Sequence, residues 1–188
     1  MKRSKVLLAA LGFAAASAFA LPAAAQMTMS SVYIGGSVGQ AEFKDACVGV
    51  AGCDDKDTAW RLLGGYQINR NFAAEVGYHH FGKASAPGVA IKGDAWELVG
   101  LGMFPVMNAF SIYGKLGVYR GELEGEGAAA GIKETNTDLT YGLGAQFDIS
   151  RNLGVRAEWQ RYPDMGGGAF GGESDVDVLS VGVIWRFQ

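Results

Sequence analysis

The chain has 188 residues, 49% of them hydrophobic and 19% charged, with a formal net charge of −3. That balance is too apolar for a disordered chain and suits one domain or one barrel. Glycine supplies 29 residues against 4 prolines, without a G-X-Y period, which excludes collagen and disfavours long helices, since an interior glycine costs a helix about 1 kcal/mol relative to alanine.

Residues 1–25 read as a cleaved secretory signal. Lys2, Arg3 and Lys5 form a basic start, Val6 to Leu21 an apolar stretch, and Ala23-Ala24-Ala25 a small-residue site that places cleavage before Gln26. Ala18-Phe19-Ala20 offers an earlier alternative. Cleavage would remove three of the 16 basic residues and none of the 19 acidic ones, leaving a net charge of −6 for 26–188, against nucleic-acid binding through a basic surface. Beyond this segment no apolar run reaches the roughly 18 residues of a membrane helix. The two cysteines, Cys47 and Cys53, lie in a Gly-, Asp- and Lys-rich stretch. In an exported protein they predict a small disulfide-closed loop.

From Val32 to Phe187 the apolar residues fall at every second position, in eight segments of about ten residues. The second sets Trp60, Leu62, Gly64 and Tyr66 against Arg61, Leu63, Gly65 and Gln67. The third sets Phe72, Ala74, Val76 and Tyr78 against Ala73, Glu75, Gly77 and His79. The fifth opposes Phe110, Ile112, Leu116 and Val118 to Tyr113, Lys115 and Gly117; the sixth opposes Leu139, Tyr141, Leu143 and Phe147 to Thr140, Gly142, Gly144 and Gln146. The seventh opposes Leu153, Val155, Ala157 and Trp159 to Gly154, Arg156, Glu158 and Gln160. The eighth opposes Leu179, Val181, Val183, Trp185 and Phe187 to Val178, Ser180, Gly182, Ile184 and Arg186. The first, Val32 to Gln40, and the fourth, Ala95 to Phe104, alternate less cleanly, and a bulge would shift their parity.

Short connections at Ile68–Asn71, Pro105–Asn108 and Asp148–Asn152 alternate with long ones at Glu42–Asp57, Gly82–Ile91, Gly121–Asn136 and Pro163–Ser174. The long ones hold Glu122, Glu124, Glu126 and the Gly166-Gly167-Gly168 patch. Turns at one end and loops at the other are the arrangement of an outer-membrane barrel. Parity alone leaves a soluble barrel open, but chemistry decides against it. The polar face carries Gly, Ser, Thr and Gln with few charges; Arg61, Glu75, Glu97, Lys115, Arg156 and Glu158 are three of each sign, which suits a narrow interior where charge must be paired. The other face, with Trp and Tyr near segment ends, suits lipid.

Residues 65–75 (GYQINRNFAAE) and 138–162 (DLTYGLGAQFDISRNLGVRAEWQRY) resemble the outer-membrane β-barrel domain family, whose members include the membrane domain of outer-membrane protein A and opacity-type surface proteins. Each stretch has a Gln, a turn ending Arg-Asn, and a Glu an even number of residues on, at Glu75 and Glu158. The resemblance implies recognition by the barrel assembly machinery through Val181, Val183, Trp185 and Phe187, although Gln188 follows the family's terminal aromatic. It also implies that the periplasmic peptidoglycan-binding domain of outer-membrane protein A is not carried, since the chain ends with the eighth segment.

Catalytic chemistry is hard to place. His79 and His80 are adjacent on a strand and point to opposite faces. A lipid A-modifying barrel needs a Ser-His arrangement, and Phe81-Gly82 follow His80 instead. Asp175 and Asp177 lack the spacing of a calcium loop. The expectation is therefore an all-β, eight-stranded antiparallel up-and-down transmembrane β-barrel at 26–188: a monomer in the bacterial outer membrane without catalytic residues, metal or cofactor. Its six interior charges should form a paired network. Arg120 and Arg161, on the apolar-face parity at the loop end, are candidates for lipopolysaccharide phosphates. Its partners would be outer-membrane lipid, lipopolysaccharide, and a host or extracellular ligand at the loops. A surface adhesin, a small channel and a lipid A-modifying enzyme stand as alternatives to a structural, surface-displaying barrel.

Overall fold

A computed structural model describes residues 31–44, 56–86, 89–127, 131, 133–165 and 174–187. Eight strands follow in order: β1 (Ser31–Phe43), β2 (Lys56–Gln67), β3 (Phe72–Ala86), β4 (Val89–Met107), β5 (Phe110–Gly127), β6 (Lys133–Asp148), β7 (Leu153–Met165) and β8 (Ser174–Phe187). Each pairs antiparallel with the next, and β8 returns to β1 through Val32↔Phe187, Ile34↔Trp185 and Val38↔Val181. The closed barrel leaves no sheet edge, the condition for strands to cross lipid.

The distribution of side chains is inverted relative to a soluble protein. Apolar groups such as Leu143, Leu98 and Leu179 are exposed around the outside, whereas Arg61, Glu75 and Glu97 are each 3% exposed or less. Apolar surface of this extent is solvated by acyl chains rather than water. All four tryptophans take outward positions, Trp60, Trp96 and Trp159 towards the loop end and Trp185 near the turn end, where a girdle belongs.

The short turns are built by side chains that replace missing ladder bonds. Asn69 Oδ1 accepts from the backbone N–H groups of Asn71 and Phe72, both at 2.8 Å. Ser150 Oγ accepts from those of Asn152 and Leu153 at 3.3 and 3.1 Å. Asn71 and Asn152 then donate to the carbonyls of Met103 on β4 and Arg186 on β8, clamping each turn to the strand beyond the one it leads into.

Three expectations change. Gly82–Ile91 and Gly121–Asn136 are largely not loops: β3 with β4, and β5 with β6, keep pairing past the lipid band. Alternation persists there, with Gly121 and Leu123 inward and Glu122 and Glu124 outward on β5, so these two glutamates share one strand face. Pro105 to Met107 belong to β4, leaving Asn108 and Ala109 as the turn. Nor does a bulge reset parity in the crossing parts of β1 or β4, whose register runs unbroken from Ser31 to Glu42 and from Val89 to Pro105. On β4 the alternation looked weak because Val99, Leu101 and Met103 are apolar yet point inward. Register shifts occur at His80/Lys83, Pro105/Met107 and Tyr162/Met165. At the first, Gly82 adopts φ 75°, the left-handed conformation glycine reaches without strain, and the Lys83 N–H donates to Asp57 Oδ2 at 2.7 Å. The signal segment, Cys47, Cys53 and Gly166–Gly168 lie outside the described residues.

Candidate functional site: the charged lumen and the loop-side rim

Two buried apolar layers enclose the middle of the lumen. Tyr33, Leu63, Ala73, Val99, Leu101, Met103, Tyr113 and Ile184 fill the turn side. On the loop side, Phe43, Phe81, Tyr119, Leu123, Tyr162, Met165 and Val176 form the larger layer with four smaller residues. Charge between such layers is stable only if paired, and here it is.

Arg61, from β2, sits at the centre of three carboxylates. Its Nη2 donates to Glu75 Oε2 at 2.9 Å and to Glu97 Oε1, and its Nη1 lies 3.3 Å from Glu158 Oε1. Lys115 Nζ donates to Glu158 Oε1 at 2.6 Å and lies 3.9 Å from Glu97 Oε1. Arg156 pairs with Glu75 through Nη1 and donates from Nε to Gln146 Oε1 at 2.8 Å. All six charges identified by parity therefore meet in one network with a formal sum of zero.

Hydroxyl, amide and imidazole groups complete it. The phenols of Tyr33 and Tyr113 donate to Glu75 Oε1 at 2.7 Å and to Glu158 Oε2 at 2.8 Å. Glu97 Oε2 accepts from Gln160 Nε2 at 2.6 Å and from Tyr162 OH at 2.8 Å, and that hydroxyl also meets His79 Nε2 at 2.8 Å. Gln160 Nε2 reaches Thr140 Oγ1 at 2.8 Å. Alternation in the sequence places Tyr113, Thr140, Gln160 and His79 on the inward face, but only the charged residues of that face were selected as network members. The signal for the rest was their parity: Tyr113 stands two residues from Lys115 on the same face, and Gln160 two from Glu158. Tyr33 and Tyr113 reach their carboxylates by lying across Gly65 and Gly144, their direct cross-strand partners, where a Cβ would strike the ring. A cavity of about 10 Å³ between Arg61, Arg156, Glu158 and Ser180 holds one water at most.

A closed, up-and-down barrel of eight strands has counterparts among known proteins. The family model described as "OmpA-like transmembrane domain" matches residues 27–188. The chain belongs to this family. Outer membrane protein A of Klebsiella pneumoniae is 27% identical over 173 residues, covering 82% of this chain and 50% of the relative. That of Klebsiella aerogenes is 26% identical over 199 residues, covering all of this chain and 56% of the relative. The chain thus spans about half the length of the curated relatives it matches. Among solved structures, Neisserial surface protein A superposes with a TM-score of 0.64 at 19% identity, covering 84% of this chain and 99% of that one. Ail, the attachment invasion locus protein of Yersinia pestis, gives 0.57 at 18%, covering 84% and 97%. The N-terminal barrel of Pseudomonas aeruginosa OprF gives 0.57 at 14%, with the same coverage. These likenesses establish the fold, and with the family they place this OmpA-like barrel in the bacterial outer membrane as an integral protein of structural or surface role.

On this OmpA-like barrel the two rim arginines differ. Arg161 grips Asp177, Nε to Oδ1 at 2.6 Å and Nη2 to Oδ2 at 2.7 Å, and its guanidinium lies over Trp159. The pair continues through Lys44 to Glu42, and Lys56 lies 3.5 Å from Glu42. Hydrogen bonding from Arg161 holds the Asp177 carboxyl below its ordinary value, and Lys44 does the same to Glu42. Arg120 is exposed and makes no hydrogen bond or ion pair among the described residues; it stands directly across from Trp96. His79 is inward in the network, while His80 is outward, with Nδ1 2.6 Å from Asp94 Oδ1. Val181, Val183, Trp185 and Phe187 form an exposed apolar row on β8.

Proposed function

We propose that this protein is a non-enzymatic, monomeric barrel that anchors in the outer membrane, displays its loop-side hairpins at the cell surface, and keeps its lumen closed to ions. The observation that carries this reading is the neutral six-charge network confined between two buried apolar layers, with room for about one water beside it. A diffusion path would need to break several buried pairs at once. The Cys47–Cys53 loop closure, removal of residues 1–25, and use of the β8 row by the assembly machinery belong to the same proposal. Planar-bilayer recordings of the purified protein test it: no resolved conductance steps are expected, and reproducible steps would overturn the closed lumen. Band-shift on heating, and fractionation with the outer membrane, test the anchor.

A surface-binding role has one specific support. β4 and β5 run for 19 and 18 residues, roughly eight more than a lipid crossing needs, so their paired ends form a projecting ribbon. Structures of Ail include a complex with the heparin analogue sucrose octasulfate. The ribbon here exposes Glu122 and Glu124, so a neutral or cationic partner fits it better than a polysulfate. Removing 123–134 should abolish host-surface adhesion if that role holds, with the heat-modifiable barrel retained.

A further inference from the structure

We propose that the outward surface of β3 to β6 at the level of Trp96 and Arg120 is a docking site for the phosphorylated sugar headgroup of an outer-leaflet glycolipid, and that Arg161 is not part of it. The inference rests on the reading that the loop side faces the cell exterior.

The level is set by the strands. On β5 the outward residues Ile112, Leu116 and Val118 are apolar, and Arg120 is the first polar one, followed by Glu122 and Glu124. On β4 the series is Leu98, then Trp96, then Asp94. Trp96 and Arg120 are direct cross-strand partners, and Thr137 is the partner of Arg120 on its other side. One row therefore presents an indole 62% exposed, a guanidinium and a hydroxyl, where acyl chains give way to headgroups. Tyr78 holds the indole from the β3 side, ring centroids 5.1 Å apart. An exposed indole face stacks on the apolar face of a sugar ring, and a guanidinium takes phosphate oxygens two at a time.

Carboxylates stand in the next row, Asp94 held by hydrogen bonds and Glu122 exposed, and neither makes a contact with Arg120 among the described residues. Asp94 Oδ1 accepts from Tyr78 OH at 2.8 Å and meets His80 Nδ1, while Glu122 lies 3.9 Å from Lys133 Nζ. Arg120 has no such partner among the described residues, which leaves its charge for an anion from outside the chain. Arg161 sits at the same boundary on β7 with its guanidinium committed to Asp177 by two hydrogen bonds. Position alone made the two arginines equivalent; their partners separate them.

The test uses the full mature chain in phosphatidylcholine nanodiscs, challenged with bisphosphorylated lipid A, monophosphorylated lipid A or phosphatidylglycerol, with retained lipid measured by mass spectrometry. The folded protein should prefer bisphosphorylated lipid A. Arg120→Ala and Trp96→Ala should each weaken its retention about tenfold, the scale of one charge-assisted hydrogen bond, and Arg161→Ala less than about twofold. Arg120→Gln, which keeps a polar hydrogen-bonding side chain but removes the charge, should lose as much as Arg120→Ala, with a heat-modifiable barrel in every case. Equal retention of phosphatidylglycerol, an unchanged Arg120→Gln variant, or an equal loss in Arg161→Ala would overturn the site. Labelling of Lys133→Cys by an impermeant maleimide on intact cells tests orientation separately, so failure of the site and failure of that reading are distinguishable.

Discussion

Tyr33 and Tyr113 flank one guanidinium: their ring centroids each lie 5.3 Å from the Arg156 carbon, on strands at opposite sides of the barrel. Each ring crosses a glycine on the next strand and delivers its hydroxyl to a glutamate on the one after, Gly65 and Glu75 for Tyr33, Gly144 and Glu158 for Tyr113. The echo between residues 65–75 and 138–162 thus has a physical content: it builds the same tyrosine-to-glutamate support twice, four strands apart. Arg156 bridges the two halves, with its charge against Glu75 and its face against both rings.

Removing Arg156 should therefore be expensive. Arg156→Met leaves Glu75 with only Arg61 as a cationic partner inside a dry lumen, and a loss of about 3–5 kcal/mol is expected. Urea titration of the detergent-refolded protein measures it. Glu75→Gln in the same background should recover part of the loss, because the carboxylate left uncompensated is then neutral. Loss below about 1 kcal/mol would mean that solvent reaches the network.

Adjacent glycines on β2 make a sharper pair. At Gly65 an added Cβ would strike the Tyr33 ring, whereas at Gly64, which faces outward, nothing lies within 4 Å. Gly65→Ala is expected to cost about 1–3 kcal/mol by displacing Tyr33 from Glu75. Gly64→Ala should be neutral or gain up to about 1 kcal/mol by restricting the unfolded chain. The same assay decides, and similar values for both would show that the tyrosine–glycine contact carries no stability.

How far the sequence could be read depended on what each face had to satisfy. On β2, β3 and β5 to β8 the interior at the level of the network is mostly polar or glycine, broken by single apolar residues such as Leu63 and Ile184, so alternation exposed both the faces and the six charges. On β4 the interior layer under the network is Val99, Leu101 and Met103, chemically indistinguishable from a lipid face, and parity faded. The projecting hairpins were missed for a different reason. Gly, Glu and Lys suggest loops, yet the ladder bonds of β5 with β6 continue through Glu124↔Lys133 because cross-strand pairing, rather than apolar burial, sustains strands above the membrane. The inequality of Arg120 and Arg161 lay beyond sequence, since the Asp177 that claims Arg161 is sixteen residues away and becomes its neighbour only when β7 pairs with β8.

The Arg161–Asp177 pair predicts an acid-sensitive contribution. Asp177 has its carboxyl lowered from an unfolded value near 3.8. A lowered carboxyl stabilises the fold fully above the unfolded value, and that stability is lost as pH falls through the lower folded value. The pair lies at the rim, so about 0.2–1 kcal/mol is expected. Asp177→Asn should be less stable than the parent by this amount at about pH 7, and the difference should shrink as pH falls below the unfolded value near 3.8. A difference that grows on acidification would reverse the sign and reject the pairing.

Depth should govern the cost of a cation on the outer face, and β5 supplies its own control. Arg120 stands outward at the loop end of the apolar band; Leu116, also outward, lies four residues nearer its centre on the way to Phe110. Both positions have similar strand geometry, paired to β4 and β6 without irregularity. Leu116→Arg should destabilise the barrel in phospholipid vesicles by about 2–4 kcal/mol, whereas Arg120→Leu should change stability by no more than about 1 kcal/mol. If Leu116→Arg were tolerated as well as the natural Arg120, the outer face of β5 would not be solvated by lipid at that level, and the position of the whole apolar band along the strands would have to move.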